Sequence, residues 1–69
     1  MGGIAVVRVS GPEAIRIANG LFSRDLASLE SHKAAFGKIT RGQEVLDECL
    51  ATVFRAPGTF TGEDTVEIA

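Results

Sequence analysis

Two periodicities of apolar residues follow one another at the start of the chain. Residues 4–9 are a β-branched run with the alternation of a strand. The next apolar residues fall on one stripe at helical spacing: Ala14, Ile15, Ala18, Leu21 and Phe22. Between the two patterns, Ser10 and Glu13 form a capping box, and Pro12 suits a first helical turn. We therefore predict a strand over residues 4–9 and a helix that begins at Ser10 and ends near Ser23.

Alternation returns in the second half of the chain. Residues 34–40 and 45–54 predict a second and a third strand, joined by a hairpin turn at residues 41–44. The alternation breaks at residues 47–49, which predicts a β-bulge. In the third strand, the side chains expected to face inward in part are Leu46, Cys49 or Leu50, and Val53.

The end of the chain combines three signals. Pro57 and Gly58 predict a turn. Residues 61–64, with the sequence Thr-Gly-Glu-Asp, offer side-chain oxygens that cap backbone N–H groups, as at the start of a helix. Residues 66–69 open with the apolar, charged, apolar alternation of a strand. Because the chain stops within that signal, we expect an incomplete domain with an unpaired sheet edge at residues 66–69.

These elements together predict an α+β fold. They form the β-α-β-β start of a mixed sheet, with one helix covering one of its faces. A chain of 69 residues buries only ~60% of the surface that its unfolded form exposes, so its own stability is marginal. We expect a partner subunit or the remainder of the domain to stabilise it.

Composition and charge exclude several classes of function. The net charge is −2 and the seven basic residues are scattered, so we expect no direct binding of nucleic acid by this segment. The longest apolar run, residues 4–7, is too short to span a membrane, and no signal-peptide leader precedes it. Cys49 is the only cysteine, which fits a reducing, cytoplasmic setting.

The residue types that carry chemistry form no catalytic or metal-binding pattern. His32, the only histidine, has no His or Cys partner at a useful spacing, so we expect a solvated loop residue. Asp47 and Glu48 are adjacent in a predicted strand, where they face opposite sides and are expected to be surface charges. Cys49 has no basic neighbour in sequence that would activate it, and we expect it in the core. We predict no catalytic residue and no metal ligand.

The pair Gly37-Lys38 does not belong to a phosphate-binding loop. That pattern requires a glycine five residues before Gly37 and a serine or threonine after the lysine. Those positions hold His32 and Ile39. We therefore expect no nucleotide chemistry from this chain.

Two single charges interrupt apolar strands. Arg8 lies in the first predicted strand, and Glu67 lies in the last. One interpretation of Arg8 is a solvated or ion-paired side chain near a strand end. The other is a polar anchor at the edge of a pocket.

Three segments, in order and spacing, resemble one family. Residues 2–12 (GGIAVVRVSGP), 45–57 and 56–68 (APGTFTGEDTVEI) are similar to the N-terminal domain of the MnmE (TrmE) tRNA-modification GTPases. The resemblance covers nearly the whole chain. The family's Cys-His-Gly-Gly segment, which follows the last of these strands, is absent from this sequence.

The resemblance implies an α+β module similar to the folate-binding part of glycine-cleavage T proteins. Such a module binds formyl-tetrahydrofolate and mediates homodimer formation, and Arg8 and Glu67 fall on its folate-contact positions. The complete proteins hydrolyse GTP with Mg²⁺ and K⁺ in a separate domain and, with MnmG (GidA), modify the wobble uridine of tRNA. Residues 1–69 are then expected to be part of the N-terminal domain, without the GTPase and helical domains and without a complete active site.

Two other classes of protein remain open at this point. One is a folate-dependent aminomethyltransferase-like domain, an enzyme that shares the cofactor. The other is a small dimerisation module without a ligand. A phosphate loop in the remainder of the reading frame would distinguish the MnmE family from both.

Overall fold

The computed structural model describes residues 6–59 and 61–69. That part of the chain contains four strands and one α-helix: β1 Val7–Ser10, α1 Ala14–Asn19, β2 Lys33–Arg41, β3 Glu44–Phe54 and β4 Thr65–Ile68. The strand order in the sheet is β1-β4-β3-β2, and each of these pairings is antiparallel. The α+β class is confirmed. The predicted mixed sheet is not, because the described strands contain no parallel pair.

The first strand is present, but the predicted capping box is wrong. Ser10 is still part of β1 and lies opposite Thr65 of β4. Its hydroxyl lies 2.7 Å from Oγ1 of Thr61, and α1 begins without a side-chain cap. Glu13 forms an ion pair with Arg16 instead. Ser10 therefore pairs within the β-sheet and does not cap the helix. The start of the predicted strand, residues 4 and 5, lies outside the described residues.

The helix ends at Asn19, earlier than predicted, because the next residues bind the edge of the sheet. The backbone N–H of Thr40 donates to the carbonyl of Leu21 (2.8 Å), and the N–H of Ser23 donates to the carbonyl of Lys38 (2.9 Å). Gly37 permits this close approach, since a Cβ there would lie 2.8 Å from Cζ of Phe22. Segment 21–23 thus covers part of the outer edge of β2.

The hairpin of β2 and β3 follows the prediction closely. Arg41 and Glu44 pair across a two-residue turn, and Gly42 has the positive φ (62°) that such a turn requires. The bulge lies in β3 as expected, but at Leu46. The register shifts between the pairs Ile39–Asp47 and Thr40–Val45, which leaves Leu46 as the extra residue.

The hydrophobic core lies between α1 with its following loop and one face of the sheet. Its buried residues are Ile15, Ala18, Phe22, Leu26, Ala35, Cys49, Ala51, Val53 and Val66. Cys49 and Val53 face inward as predicted. Leu46 and Leu50 do not, and remain 51% and 44% exposed. Beyond the bulge, the alternation places Leu50 on the other face, opposite Phe36.

We call that other side of the sheet the open face. Arg8, Glu67 and Thr52 form one cross-strand row on it, and Ser10, Thr65 and Phe54 form the next. Farther along β3, Leu50 and Phe36 form an exposed apolar pair. The predicted unpaired edge at residues 66–69 is wrong, because β4 lies between β1 and β3 and pairs with both.

Candidate functional site

The two predicted site residues meet at the centre of the open face. Arg8 and Glu67 lie directly opposite each other in the pairing of β1 and β4. Nη2 of Arg8 donates to Oε2 of Glu67 at 2.6 Å, and Nε donates to the same oxygen at 3.1 Å. The side chains are 49% and 26% exposed. The ion-paired interpretation of Arg8 is therefore confirmed.

This geometry leaves half of the Glu67 carboxylate available. Both guanidinium donors meet Oε2, and among the described residues Oε1 of Glu67 accepts no hydrogen bond. A carboxylate oxygen has room for two donors. The Glu67 carboxylate is thus a hydrogen-bond acceptor that Arg8 orients. It lies on an inner strand and is partly shielded from solvent.

A row of hydroxyl groups closes one end of the open face. Oγ of Ser10 lies 2.7 Å from Oγ1 of Thr61 and 3.4 Å from Oγ1 of the fully buried Thr65. Oγ1 of Thr65 also donates to the carbonyl of Glu63 at 3.3 Å. The sequence predicted that residues 61–64 start a helix. Residues 61–63 form bends instead, and the contact between the hydroxyls of Thr61 and Ser10 holds this loop against the end of β1.

The turn predicted at Pro57 and Gly58 is present, and its neighbours are fixed by side chains. Oδ1 of Asp64 accepts the backbone N–H of Ala56 at 2.8 Å. Oγ1 of Thr59 donates to the carbonyl of Glu63 at 2.6 Å. These bonds tie both arms of the loop together.

His32 lies beside this turn. It is exposed, as predicted, but its backbone is held in the left-handed region (φ 69°) by an N–H bond of 2.7 Å to the carbonyl of Val53. Its ring meets Phe54 edge-on, with centroids 5.2 Å apart and planes at 88°. Nδ1 of His32 lies 3.0 Å from Oγ of Ser31. A cavity of about 330 Å³ is lined by His32, Phe54, Gly58 and Thr59.

Arg55 fixes the loop that leads to His32. Its guanidinium donates to the carbonyl of Leu29 from Nε (3.0 Å) and Nη2 (2.7 Å), and to the carbonyl of Ala27 from Nη2 (2.8 Å). Its backbone N–H donates to Oγ of Ser31. Sequence reasoning missed Arg55 and the cavity. The partners lie 24–28 residues away, so no local spacing signals them.

Cys49, Asp47 and Glu48 lie where the sequence predicted, in the core and on the surface respectively. Cys49 is buried in the core, and burial followed by the negative charge of Asp47 raises the pKa of its thiol. Asp47 and Glu48 are exposed, and they lie opposite Ile39 and Lys38 on different faces. Within residues 6–59 and 61–69, no group of three or more His, Cys, Asp or Glu side chains is arranged to hold a metal ion.

No helix among the described residues has the length and apolar character that crossing a bilayer requires.

Comparison with known proteins shows which family the chain belongs to. A family model described as the N-terminus of the GTP-binding protein TrmE matches residues 1–69. A protein of Listeria welshimeri named tRNA modification GTPase MnmE is 51% identical over 69 residues, which cover 97% of this chain and 15% of that protein. Proteins of the same name from Christiangramia forsetii and Chlamydia trachomatis are 46% and 48% identical, over 99% and 96% of this chain and 15% of each relative.

The chain therefore spans about 15% of the length of these curated relatives. The family model covers every residue of the chain, and the identity to its relatives is close to one half. The chain belongs to the family of the N-terminal region of the TrmE (MnmE) GTP-binding proteins.

Proposed function

We propose that this chain is part of the formyl-tetrahydrofolate-binding, dimerising N-terminal domain of a protein that modifies the wobble uridine of tRNA together with MnmG (GidA). The observation that carries the folate part is the Arg8–Glu67 pair on the open face. The relatives are named tRNA modification GTPases, and these names support the proposed role in tRNA modification. The α+β fold is compatible with the proposed likeness to glycine-cleavage T proteins.

Glu67 has the chemistry that a pterin requires. The amino-amide edge of a pterin presents parallel N–H donors, and a carboxylate accepts two such donors with good geometry. Oε1 accepts no hydrogen bond from the described residues and has two lone pairs for a ligand, whereas Oε2 already accepts both Arg8 donors. At 26% exposure, the Glu67 side chain is accessible yet partly desolvated, which strengthens charge-assisted bonds.

Arg8 acts on the ligand through Glu67. Two roles suit an arginine here: contact with a carbonyl or carboxylate of the ligand, or orientation of Glu67. The geometry favours orientation, because Nε and Nη2 both donate to Oε2 of Glu67. The positive guanidinium also balances the negative charge of the carboxylate. An uncharged pterin would therefore bind to an ion pair that has no net charge.

The GTPase chemistry belongs to other parts of the complete protein. Residues 1–69 have no phosphate loop, so GTP, Mg²⁺ and K⁺ would bind in a separate GTPase domain, and this segment would hydrolyse nothing by itself. We place the complete protein in the cytoplasm, as its tRNA substrate requires. The tRNA would reach this segment only through the other domains.

Self-association has support of its own. Phe36 and Leu50 are exposed by 59% and 44% and lie opposite each other on the open face. The core of a chain of this size is small, and apolar contact with a second copy stabilises such a fold. We propose that the domain forms a homodimer.

The proposal is tested by NMR titration of the isotope-labelled chain with 5-formyl-tetrahydrofolate and, separately, with GTP and Mg²⁺. We expect saturable shifts at Arg8, Glu67 and Thr52 with the folate, and none with the nucleotide. Saturable GTP shifts, or folate shifts confined to residues far from β4, would reject it.

A further inference from the structure

Strand β3 is longer than its neighbour β4, and part of one edge of β3 has no partner strand. β4 pairs with residues 51–54 of β3, and Leu50 exchanges backbone hydrogen bonds with Ala69 at 2.8 and 3.0 Å. Among the described strands, none pairs with residues 44–49 on that side of β3. A sheet edge of this kind is a template on which a second chain can add a strand.

One side chain occupies the hydrogen-bonding position on this edge. The backbone groups of strand residues two apart point to the same side, so the N–H of Glu48 points to the side on which Leu50 binds Ala69. Oδ1 of Asp47 accepts the N–H of Glu48 at 2.8 Å. An added strand would need this N–H as a donor and would first have to displace the carboxylate of Asp47.

The bulge of β3 lies directly before Asp47. Its extra residue is Leu46, and a bulge bends the strand and redirects the side chains beside it. Val45 and Leu46 are 53% and 51% exposed. Without protection, this edge would therefore offer apolar side chains as well as backbone groups to a second chain.

The outer edge of β2 is closed in a different way. The N–H of Lys38 donates to Oγ of Ser23 at 2.9 Å, and the carbonyl of Phe36 accepts a hydrogen bond from Nη1 of Arg24 at 3.4 Å. A separate segment of the chain thus covers β2. On the unpaired side of β3, the described residue that holds the N–H of Glu48 belongs to the strand itself.

We propose that Asp47 protects the edge of β3 from strand addition by a second copy of this chain. Its carboxylate binds the N–H of Glu48, which removes the donor that the added strand would use. Strand addition at an open edge leads to open-ended assembly, and the hydrogen bond of Asp47 prevents it here. Self-association is then restricted to other surfaces of the chain.

The test compares three variants of the chain. Asp47→Ala removes the acceptor, and Asp47→Asn keeps an acceptor oxygen without the charge. Glu48→Ala is the matched control, because it removes an equal charge from the next exposed residue and leaves the hydrogen bond of Asp47 to the backbone in place. Two measurements are made on each variant: hydrogen exchange of the amide of residue 48 in dilute solution, and sedimentation velocity over a range of concentrations.

We expect the amide of residue 48 to exchange about 3- to 10-fold faster in Asp47→Ala than in wild type, as for loss of one hydrogen bond. Concentrated Asp47→Ala should also form species larger than those of wild type. Asp47→Asn and Glu48→Ala should match wild type in both measurements.

Unchanged exchange in Asp47→Ala, or sedimentation of Asp47→Ala like wild type at every concentration, would overturn the inference. Assembly of Asp47→Asn or Glu48→Ala to the extent seen for Asp47→Ala would overturn it as well, because loss of charge would then be sufficient and the hydrogen bond would not be what protects the edge.

Discussion

Arg8 and Glu67, 59 residues apart in sequence, meet so that both guanidinium donors contact one carboxylate oxygen. The pairing of β1 and β4 sets their register, since the two residues are direct cross-strand partners. The carboxylate therefore has a fixed orientation, and its Oε1 accepts no hydrogen bond from the described residues.

Replacing Arg8 should affect ligand binding more than folding. An exposed ion pair contributes no more than ~1 kcal/mol to stability, and Arg8 is 49% exposed, so Arg8→Ala should change the free energy of unfolding by less than that. Folate affinity should fall further, because Glu67 loses its orientation. Arg8→Lys keeps the charge without the forked donors and should bind with intermediate affinity. Chemical denaturation and calorimetry of the same variants separate the two effects. Equal losses in both would argue for a purely structural pair.

Gly37 should not tolerate a side chain. A Cβ there would lie 2.8 Å from both Cζ of Phe22 and Oγ of Ser23, which pushes segment 21–23 off the edge of β2. Gly37→Ala should cost ~1–3 kcal/mol in urea unfolding. Gly58→Ala is the control, because its Cβ would meet no atom of the other described residues within 4 Å. If the two substitutions destabilised the chain equally, the close packing of segment 21–23 would be refuted.

The thiol of Cys49 should be protected at pH 8. Burial, and then the charge of Asp47, raise its pKa above the ordinary 9.0. The unfolded thiol ionises first as pH rises, so the stability from the neutral buried thiol is complete below about pH 9 and is lost through the folded pKa. We expect slow iodoacetamide labelling of the folded chain, and rapid labelling in denaturant. Asp47→Asn should modestly speed labelling of the folded chain. Equal rates with and without denaturant would place the thiol outside the core.

The chain should self-associate through its open face. Phe36→Lys combined with Leu50→Lys places like charges where the apolar pair lies, and should shift the sedimentation coefficient from dimer to monomer. Ile17→Lys, on the exposed side of α1, is the control and should leave the dimer intact. A wild-type chain that sediments as a folded monomer at micromolar concentration would contradict this prediction.

The strands were largely predictable from the sequence, whereas the caps were not. The alternation of apolar and polar residues predicted β2 and β3, and the residues flanking Gly42 predicted the hairpin. Both signals are local in the sequence. Ser10 also fits a local pattern, that of a helix cap. Its hydroxyl nevertheless contacts the hydroxyl of Thr61, which is 51 residues away. A pattern of a few neighbouring residues cannot reveal a hydrogen-bond partner that lies so far away in the sequence. The bulge moved to Leu46 for a related reason, since the partner strand sets the register.

The site was predictable in part. Arg8 and Glu67 stood out as isolated charges in apolar strands, and that contrast is visible in sequence. The cavity was not, because His32, Phe54 and Thr59 come from three separate segments and carry no shared spacing. Only the sheet and the bonds of Arg55 bring them together.

The most direct test of the proposed folate site is the affinity of Glu67→Gln for 5-formyl-tetrahydrofolate, measured by calorimetry. An amide offers one acceptor oxygen and presents donors in place of the other, so it repels part of the pterin edge. We predict a loss of ~2–3 kcal/mol for Glu67→Gln and for Glu67→Ala. Glu30→Gln, at an exposed loop position, should bind like wild type. Wild-type affinity in Glu67→Gln would contradict the account and return Glu67 to a simple ion-pair partner of Arg8.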